Sequence, residues 1–171
     1  MTSSVHDAAA ELEAGFKAAM RQLASTVTIV TAASGEAMHG MTATAVTSLS
    51  AEPPALLVCV NREASIHPVL HEGQSFCVNI LASTHAYLSS VFGGLVVPEL
   101  RFEHGTWQHD DDGVPFMPDA SALVFCSVDL LMDYGTHTIV VGKVKRAMAN
   151  TAAPPLIYGG GGFLSVTAQQ T

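Results

Sequence analysis

Gly40-Met41-Thr42-Ala43-Thr44-Ala45-Val46-Thr47-Ser48-Leu49-Ser50 is the stretch on which the reading of this chain turns. In extended backbone alternate residues share a face, so Thr42 and Thr44 point the same way. If the extension continues, Ser48 and Ser50 lie on that side too. Ala43 and Ala45 between them are small. A strand of small residues with repeated short hydroxyls lets a flat heteroaromatic ring approach the backbone and meet hydrogen-bond partners. Threonine is also simply common in strands, so the stretch alone leaves both readings open.

Period-two segments continue on either side. Thr26-Val27-Thr28-Ile29-Val30-Thr31 is β-branched throughout and reads as a strand, closed by Ala33-Ser34-Gly35-Glu36. Further strands are expected at residues 39–48, 55–60, 75–81, 122–132 and 138–148, with shorter ones near 105–109 and 162–166. Residues 65–71 and 83–92 each suit two or three helical turns. Ser65 and Ser83 are candidate N-caps, and Gly93-Gly94 is a stop signal. Before all of these, residues 7–24 form an expected helix. Leu12, Phe16, Met20 and Leu23 make one apolar stripe, Asp7 and Glu11 favour its N-terminal end, and Glu13 precedes Lys17 by four. The strands do not alternate with long helices. The expected class is therefore mostly β: an antiparallel barrel with an N-terminal helix and short peripheral helices. With 171 residues and no internal repeat or linker, one domain spanning 1–171, with its core at about 16–166, is expected.

Composition narrows the function. Apolar residues make up 49 % and charged residues 13 %, about half of the roughly 25 % usual in soluble domains. Disordered chains are polar and charge-rich, which excludes that class. So few charges point instead to a subunit interface, a bound organic cofactor, or both. The net charge of −8 opposes a phosphate backbone, and only Lys143, Lys145 and Arg146 cluster, so nucleic acid is not an expected partner. No run reads as membrane-spanning, since Asn79, His85 and several Ser and Thr interrupt the uncharged segment 74–98. The first residues carry Asp7, Glu11 and Glu13 rather than a basic region, and Cys59, Cys77 and Cys126 each sit in an apolar run. Free buried thiols and a cytoplasmic location are expected.

Several familiar constellations are missing. Gly159 to Gly162 leads into Phe163-Leu164-Ser165 and forms no G-x-G-x-x-G motif. No phosphate loop, nucleophile elbow or H-E-x-x-H motif is present. His67 and His71 stand four apart without a nearby third ligand. His104, His109 and the run Asp110-Asp111-Asp112 lack the alternating spacing of a calcium loop. No metal site is expected, and the acidic run reads as a solvated turn.

The segments form a recognisable series when taken together. It begins with Phe16-Lys17 through Met20-Arg21, Val27-Thr28-Ile29-Val30-Thr31, and Gly40-Met41-Thr42-Ala43-Thr44 to Ser48-Leu49-Ser50. Pro53-Pro54-Ala55-Leu56-Leu57, Val60-Asn61 and Phe76-Cys77-Val78-Asn79-Ile80-Leu81 follow. Arg101-Phe102, Trp107, Gly113, Pro115, Gly135-Thr136-His137-Thr138 through Val144, and Pro155-Leu156-Ile157-Tyr158 complete it. In this order the chain resembles the flavin reductase-like family, the reductase components of two-component flavin-dependent monooxygenases.

The resemblance implies an FMN-binding split barrel, a homodimer, and FMN or FAD with NADH or NADPH as co-substrate. It implies hydride transfer from nicotinamide to flavin N5, with reduced flavin supplied to a separate monooxygenase. Because the cofactors carry that reactivity, no catalytic acid or base is strictly required. It further implies that Thr42, Ala43, Thr44, Ala45, Thr47 and Ser48 line the flavin. Cys59, Val60, Asn61, Arg62 and Ser65 would face its ribityl chain and phosphate. Arg62 and Arg101 are the cationic candidates for that phosphate, and Phe92 and Tyr158 are candidate flavin contacts. Phe92 can equally close the core, and Asn79 can be a satisfied core amide. His137 resembles the histidine of the family's Gly-Asp-His motif, on the nicotinamide side. Two departures bear on the dinucleotide: Thr136 stands where the family has Asp, and Gly159 to Gly162 stand where it has aromatic or basic residues. Two alternatives stay open: a flavin-binding electron-transfer protein or oxidase with little NAD(P)H activity, and a non-enzymatic ligand-binding barrel.

Overall fold

The computed structural model describes residues 2–165, with side chains from residue 8 onward. The expected helix is α1 (Thr2–Met20). It extends further back than its apolar stripe because Ala8-Ala9-Ala10 propagates the helix cheaply. It ends at Met20, where the amides of Gln22 and Leu23 bond three residues back to Ala19 and Met20 and tighten the last turn. Leu23 therefore lies beyond the helix. The side chain of Asp7 and the expected strand end at Val166 lie outside the described residues.

Twelve strands follow among the described residues: β1 (Ser25–Thr26), β2 (Thr28–Ser34), β3 (Ala37–Ala43), β4 (Val46–Ala51), β5 (Pro54–Asn61), β6 (Ser75–Ile80), β7 (Gln108–His109), β8 (Pro115–Phe116), β9 (Ala122–Tyr134), β10 (His137–Ala149), β11 (Ile157–Gly159) and β12 (Gly162–Leu164). Seven of them build the main sheet in the order β3-β2-β6-β9-β10-β5-β4, each neighbouring pair antiparallel. The two edge strands, β3 and β4, are consecutive in the chain and joined through Thr44-Ala45. The sheet is therefore a barrel that closes on itself covalently but stays unpaired at this seam, which is the split.

The single strand expected over 39–48 is thus two strands. Ala43 and Val46 belong to opposite edges of the sheet, so the chain must leave the plane at Thr44-Ala45. A register shift between Ser48 and Ser50 adds a second irregularity. Thr42 and Ser48 consequently do not share a face in the way continuous extension would give.

Alternation builds two cores. Phe76 and Val78 of β6 face a cluster with Val30, Val58, Val60 and Val140. Their neighbour Cys77 faces a second cluster with Ile29, Leu81, Val91, Phe92, Met117 and Phe125. Asn79 is the polar centre of that second face. Its Nδ2 donates to the Ile29 carbonyl at 2.9 Å and to Thr31 Oγ1 at 3.1 Å, and its Oδ1 accepts from the Met117 amide at 2.8 Å. Asn79 is therefore a satisfied core amide.

The helical segments after β6 cap the second core. The expected helix at 83–92 is a 3₁₀ turn at Ser83–His85, the short α2 (Ala86–Ser90) and a wide turn at Val91–Leu95, where Gly94 takes φ 116°. Ala82 rather than Ser83 occupies the cap. Residues 65–71 form only one 3₁₀ turn, His67–Val69, entered through Ile66 without a side-chain cap. Pro68 makes a full helix costly there, and Ser65 is not its cap. The three cysteines are free. Burial pushes the thiol of Cys126 up to about 12 and that of Cys77 further still, so neither acts as a thiolate. Among the described residues no helix is long and apolar enough to cross a membrane.

Candidate active site

The site gathers around the seam. Thr44 and Ala45 are exposed there, whereas Ala43 is buried and its carbonyl accepts the Thr28 hydroxyl at 2.7 Å. The Cys59 amide donates to the Ala45 carbonyl at 3.0 Å. That bond ties the seam to the end of β5, where Val60 is fully buried and Asn61 opens to solvent. The two segments singled out in the sequence, 42–48 and 59–65, are thus brought side by side.

On one flank Thr42 and Thr44 line the same depression, together with Ser89, Tyr158 and Phe163. The Thr42 hydroxyl donates to the Ser89 carbonyl at 2.7 Å, which leaves its oxygen lone pairs as acceptors only. Tyr158 and Phe163 meet edge to face at 5.6 Å between ring centroids. The glycine run brings them together. Gly160 and Gly161 take φ +63° and +90° and turn β11 into β12, the geometry of a two-residue hairpin that glycine adopts without strain. The Gly160 amide also donates to the Arg21 carbonyl at 2.8 Å. The run is therefore a fixed turn rather than a flexible loop. Below it a cleft of about 480 Å³ lies between Thr44, Ala45 and Tyr158 on one side and Phe16, Lys17 and Arg21 of the α1 end on the other.

Thr47 and Ser48 lie elsewhere. They line an apolar hollow with Thr28, Leu56, Val78 and Val144, because the chain has crossed to the other edge of the split. The depression that Thr42 and Thr44 line does not include them.

On the other flank Asn61, Arg62, Glu63, His67, Gly135 and Thr136 enclose a polar cleft of about 650 Å³. The Arg62 amide donates to the Thr136 carbonyl at 3.0 Å, and its guanidinium makes one long contact of 3.4 Å with the Gly135 carbonyl. The guanidinium is free to receive an anion. The Ser65 hydroxyl is half-buried and makes no hydrogen bond among the described residues. His137 pairs with Asn61 across β10 and β5. The β9–β10 turn is Gly135-Thr136, with Gly135 at φ +57°. That turn sets Thr136 Oγ1 2.9 Å from His137 Nδ1. A neutral hydroxyl thus stands beside the His137 imidazole.

Two sequence candidates fall away from this arrangement. Arg101 donates from Nε to the Val96 carbonyl at 3.1 Å and from Nη1 to the Gly40 carbonyl at 3.0 Å. Partial burial lowers its pKa, opposed by Glu99. It staples a loop to β3 and is not a free cation for a phosphate. Phe92 is 2 % exposed and packs on Phe102 and Trp107 at 5.1 and 5.3 Å, so in this fold it closes the core. The acidic run is likewise structured. The Asp110 carboxylate accepts the amides of Asp112 and Val114, while Asp112 pairs with Lys145 and with Ser75, which hold its carboxyl below the usual range.

Sequence reasoning missed Phe163, Ser89, Lys17, Arg21 and His67. Phe163 had a signal, since two glycines between Tyr158-Gly159 and Gly162-Phe163 are hairpin chemistry. The others come from distant elements and had none.

The arrangement fits a flavin: an open seam edged by hydroxyls, an aromatic pair beside it, and a cleft with a free guanidinium. The flavin reductase like domain model matches residues 20–167. The chain belongs to the flavin reductase-like family. Over 145 residues it is 45 % identical to the reductase component of an FADH2-dependent resorcinol hydroxylase from a Rhizobium species, covering 84 % of this chain and 81 % of that one. It is 38 % identical over 146 residues to the NADH-dependent FMN reductase RutF of Variovorax paradoxus, covering 85 % and 81 %. Among solved structures, the Streptomyces globisporus NADH:FAD oxidoreductase SgcE6 in complex with NAD and FAD fragments superposes with a TM-score of 0.83 at 28 % identity. That superposition covers 91 % of this chain and 93 % of that one. The flavin reductase-like fold of this chain is thus the split barrel derived above from its strand order.

Proposed function

We propose that this chain, acting as one domain, is an NADH-dependent flavin reductase that supplies reduced FMN or FAD to a separate monooxygenase component. The observation carrying this reading is the 45 % identity, along most of the chain, to a reductase component of a hydroxylase system. A bound flavin supplies hydride acceptance at N5, with nicotinamide as donor. The protein contributes binding, orientation and exclusion of water. Thr42 and Thr44 present hydroxyls along one edge of the seam, and Tyr158 with Phe163 offers an aromatic wall for a ring. Arg62 with Asn61 offers donors to an anionic tail at the other end. His137, held by Thr136, presents its Nε2 toward a dinucleotide amide or hydroxyl. No side chain at the seam is placed as a proton donor for the reaction, and hydride transfer needs none.

A homodimer fits the surface. Phe16 is 62 % exposed, Leu23 61 % and Met132 53 %, and apolar side chains of this size are normally covered when they cluster. A cytoplasmic location matches the three free cysteines. Steady-state reduction with all four pairs of FMN or FAD and NADH or NADPH tests the activity. NADH is expected to be the better donor with either flavin. No dinucleotide-dependent loss of the flavin's visible band in any pair would refute the proposal.

A further inference from the structure

The polar cleft holds a histidine that the reading above does not use. His67 Nε2 lies 2.8 Å from Thr138 Oγ1, and Thr138 Oγ1 lies 2.5 Å from Asp133 Oδ1. The directions of these bonds are fixed by chemistry. A carboxylate only accepts, so the one hydroxyl proton of Thr138 goes to Asp133. Thr138 can then only accept from His67, which places a proton on Nε2. Thr138 is 2 % exposed, so its hydroxyl has no water to turn toward. The ring is therefore locked with Nδ1 as its only titratable position. Nδ1 has no hydrogen-bond partner among the described residues and is not buried, because no buried side-chain nitrogen or oxygen there lacks a partner. His67 lines the polar cleft together with Arg62.

We propose that His67, positioned by Thr138 and Asp133, is a second donor beside Arg62 for the phosphate of a bound nucleotide, and that its protonation sets the site's affinity for that phosphate. This rests on the flavin-site reading above and names the regulation of the same site. When His67 is protonated, Nδ1–H donates to a phosphate oxygen; when it is neutral, the Nδ1 lone pair faces the anion. Arg62 favours an anion at every working pH. Glu63, on the cleft rim, carries the opposing charge. Asp133 sits behind Thr138 and accepts its hydroxyl. His137 is the next residue along β10, its Nδ1 already engaged by Thr136. His71 turns its Nδ1 to the Glu72 carbonyl.

The test is binding of FMN and of riboflavin, which lacks the phosphate, between pH 5.5 and 8.5, followed by flavin fluorescence. Histidine changes charge in this window. The FMN phosphate also ionises near pH 6, which works in the opposite direction. Wild-type FMN affinity is expected to peak and then fall roughly tenfold toward high pH, the size of one charge-assisted hydrogen bond. In His67→Gln it is expected to rise to a plateau with no fall. Asp133→Asn, whose amide oxygen still accepts the Thr138 hydroxyl, is expected to retain the falling limb, whereas Asp133→Ala, which leaves that hydroxyl free to turn toward His67 Nε2, is expected to shrink it. Riboflavin is expected to show no such limb in any of the proteins. A falling limb that persists in His67→Gln, or appears equally with riboflavin, overturns the proposal while leaving the flavin site standing. Failure of both flavins to bind wild-type protein at any pH overturns the site reading and this inference together.

Discussion

At the scale of single residues, the site depends on which polar groups the fold has already committed. Arg62 and Arg101 are equivalent in the sequence as scarce cations near expected binding segments. The fold separates them, since the carbonyls of Gly40 and Val96 take two of Arg101's donors and no partner of comparable quality takes those of Arg62. Those carbonyls come from distant or irregular backbone, so residue type could not reveal the difference. Asn79 and Phe92 resolve in the same way, each explained by the core around it. The expected role of His137 can be tested through its immediate neighbour. Thr136 sets a hydroxyl 2.9 Å from its Nδ1, so the partner that orients the ring is neutral. His137→Ala is expected to raise the KM for NADH about three- to tenfold, the loss of one neutral hydrogen bond, with flavin affinity unchanged. Thr136→Val should shift the KM in the same direction by less. Kinetics identical to wild type in His137→Ala would remove the residue from the site.

At the scale of elements, the strand-rich character and nearly every main-sheet strand were legible from period-two patterning, because β-branched runs bury alternate faces. The seam was not. Thr44-Ala45 has no turn chemistry, and only the pairing of β3 with β2 and of β4 with β5 shows that the chain changes edges there. Continuous extension accordingly put Ser48 on the face of Thr42, and the resemblance added Thr47 to the same site, whereas the fold places both in a different hollow. The glycine run shows the converse: two glycines between Tyr158-Gly159 and Gly162-Phe163 are a hairpin signal legible in the sequence itself. Because Gly160 and Gly161 both take positive φ, Gly161→Val forces a β-branched residue into the left-handed region, at a cost of about 1–2 kcal/mol. Urea denaturation should register that loss. Displacement of Phe163 from Tyr158 should also weaken flavin binding severalfold, whereas Gly160→Asn should be tolerated on both counts. Equal flavin affinity in Gly161→Val would remove the hairpin's aromatic wall from the site.

At the scale of the whole molecule, the shortage of charge finds its cause in surface that the isolated chain leaves apolar. Leu12, Phe16 and Met20 of the expected stripe stand on α1 and Leu23 lies just past its end, and all four side chains are exposed rather than packed on the barrel. Met132 and Tyr134 at the far end of β9 are exposed as well. Sedimentation is expected to give twice the 17.8 kDa chain mass. Phe16→Asp together with Met132→Asp is expected to shift the population toward monomer and to lower activity with it. A monomeric wild type at micromolar concentration would contradict the dimer. The central claim, however, is chemical. Its most direct test is anaerobic titration of protein and FMN with NADH, following the flavin's visible absorption. The account expects the band to bleach to completion at one NADH per flavin, at a rate proportional to protein. A band that persists, or that bleaches no faster than without protein, would contradict it.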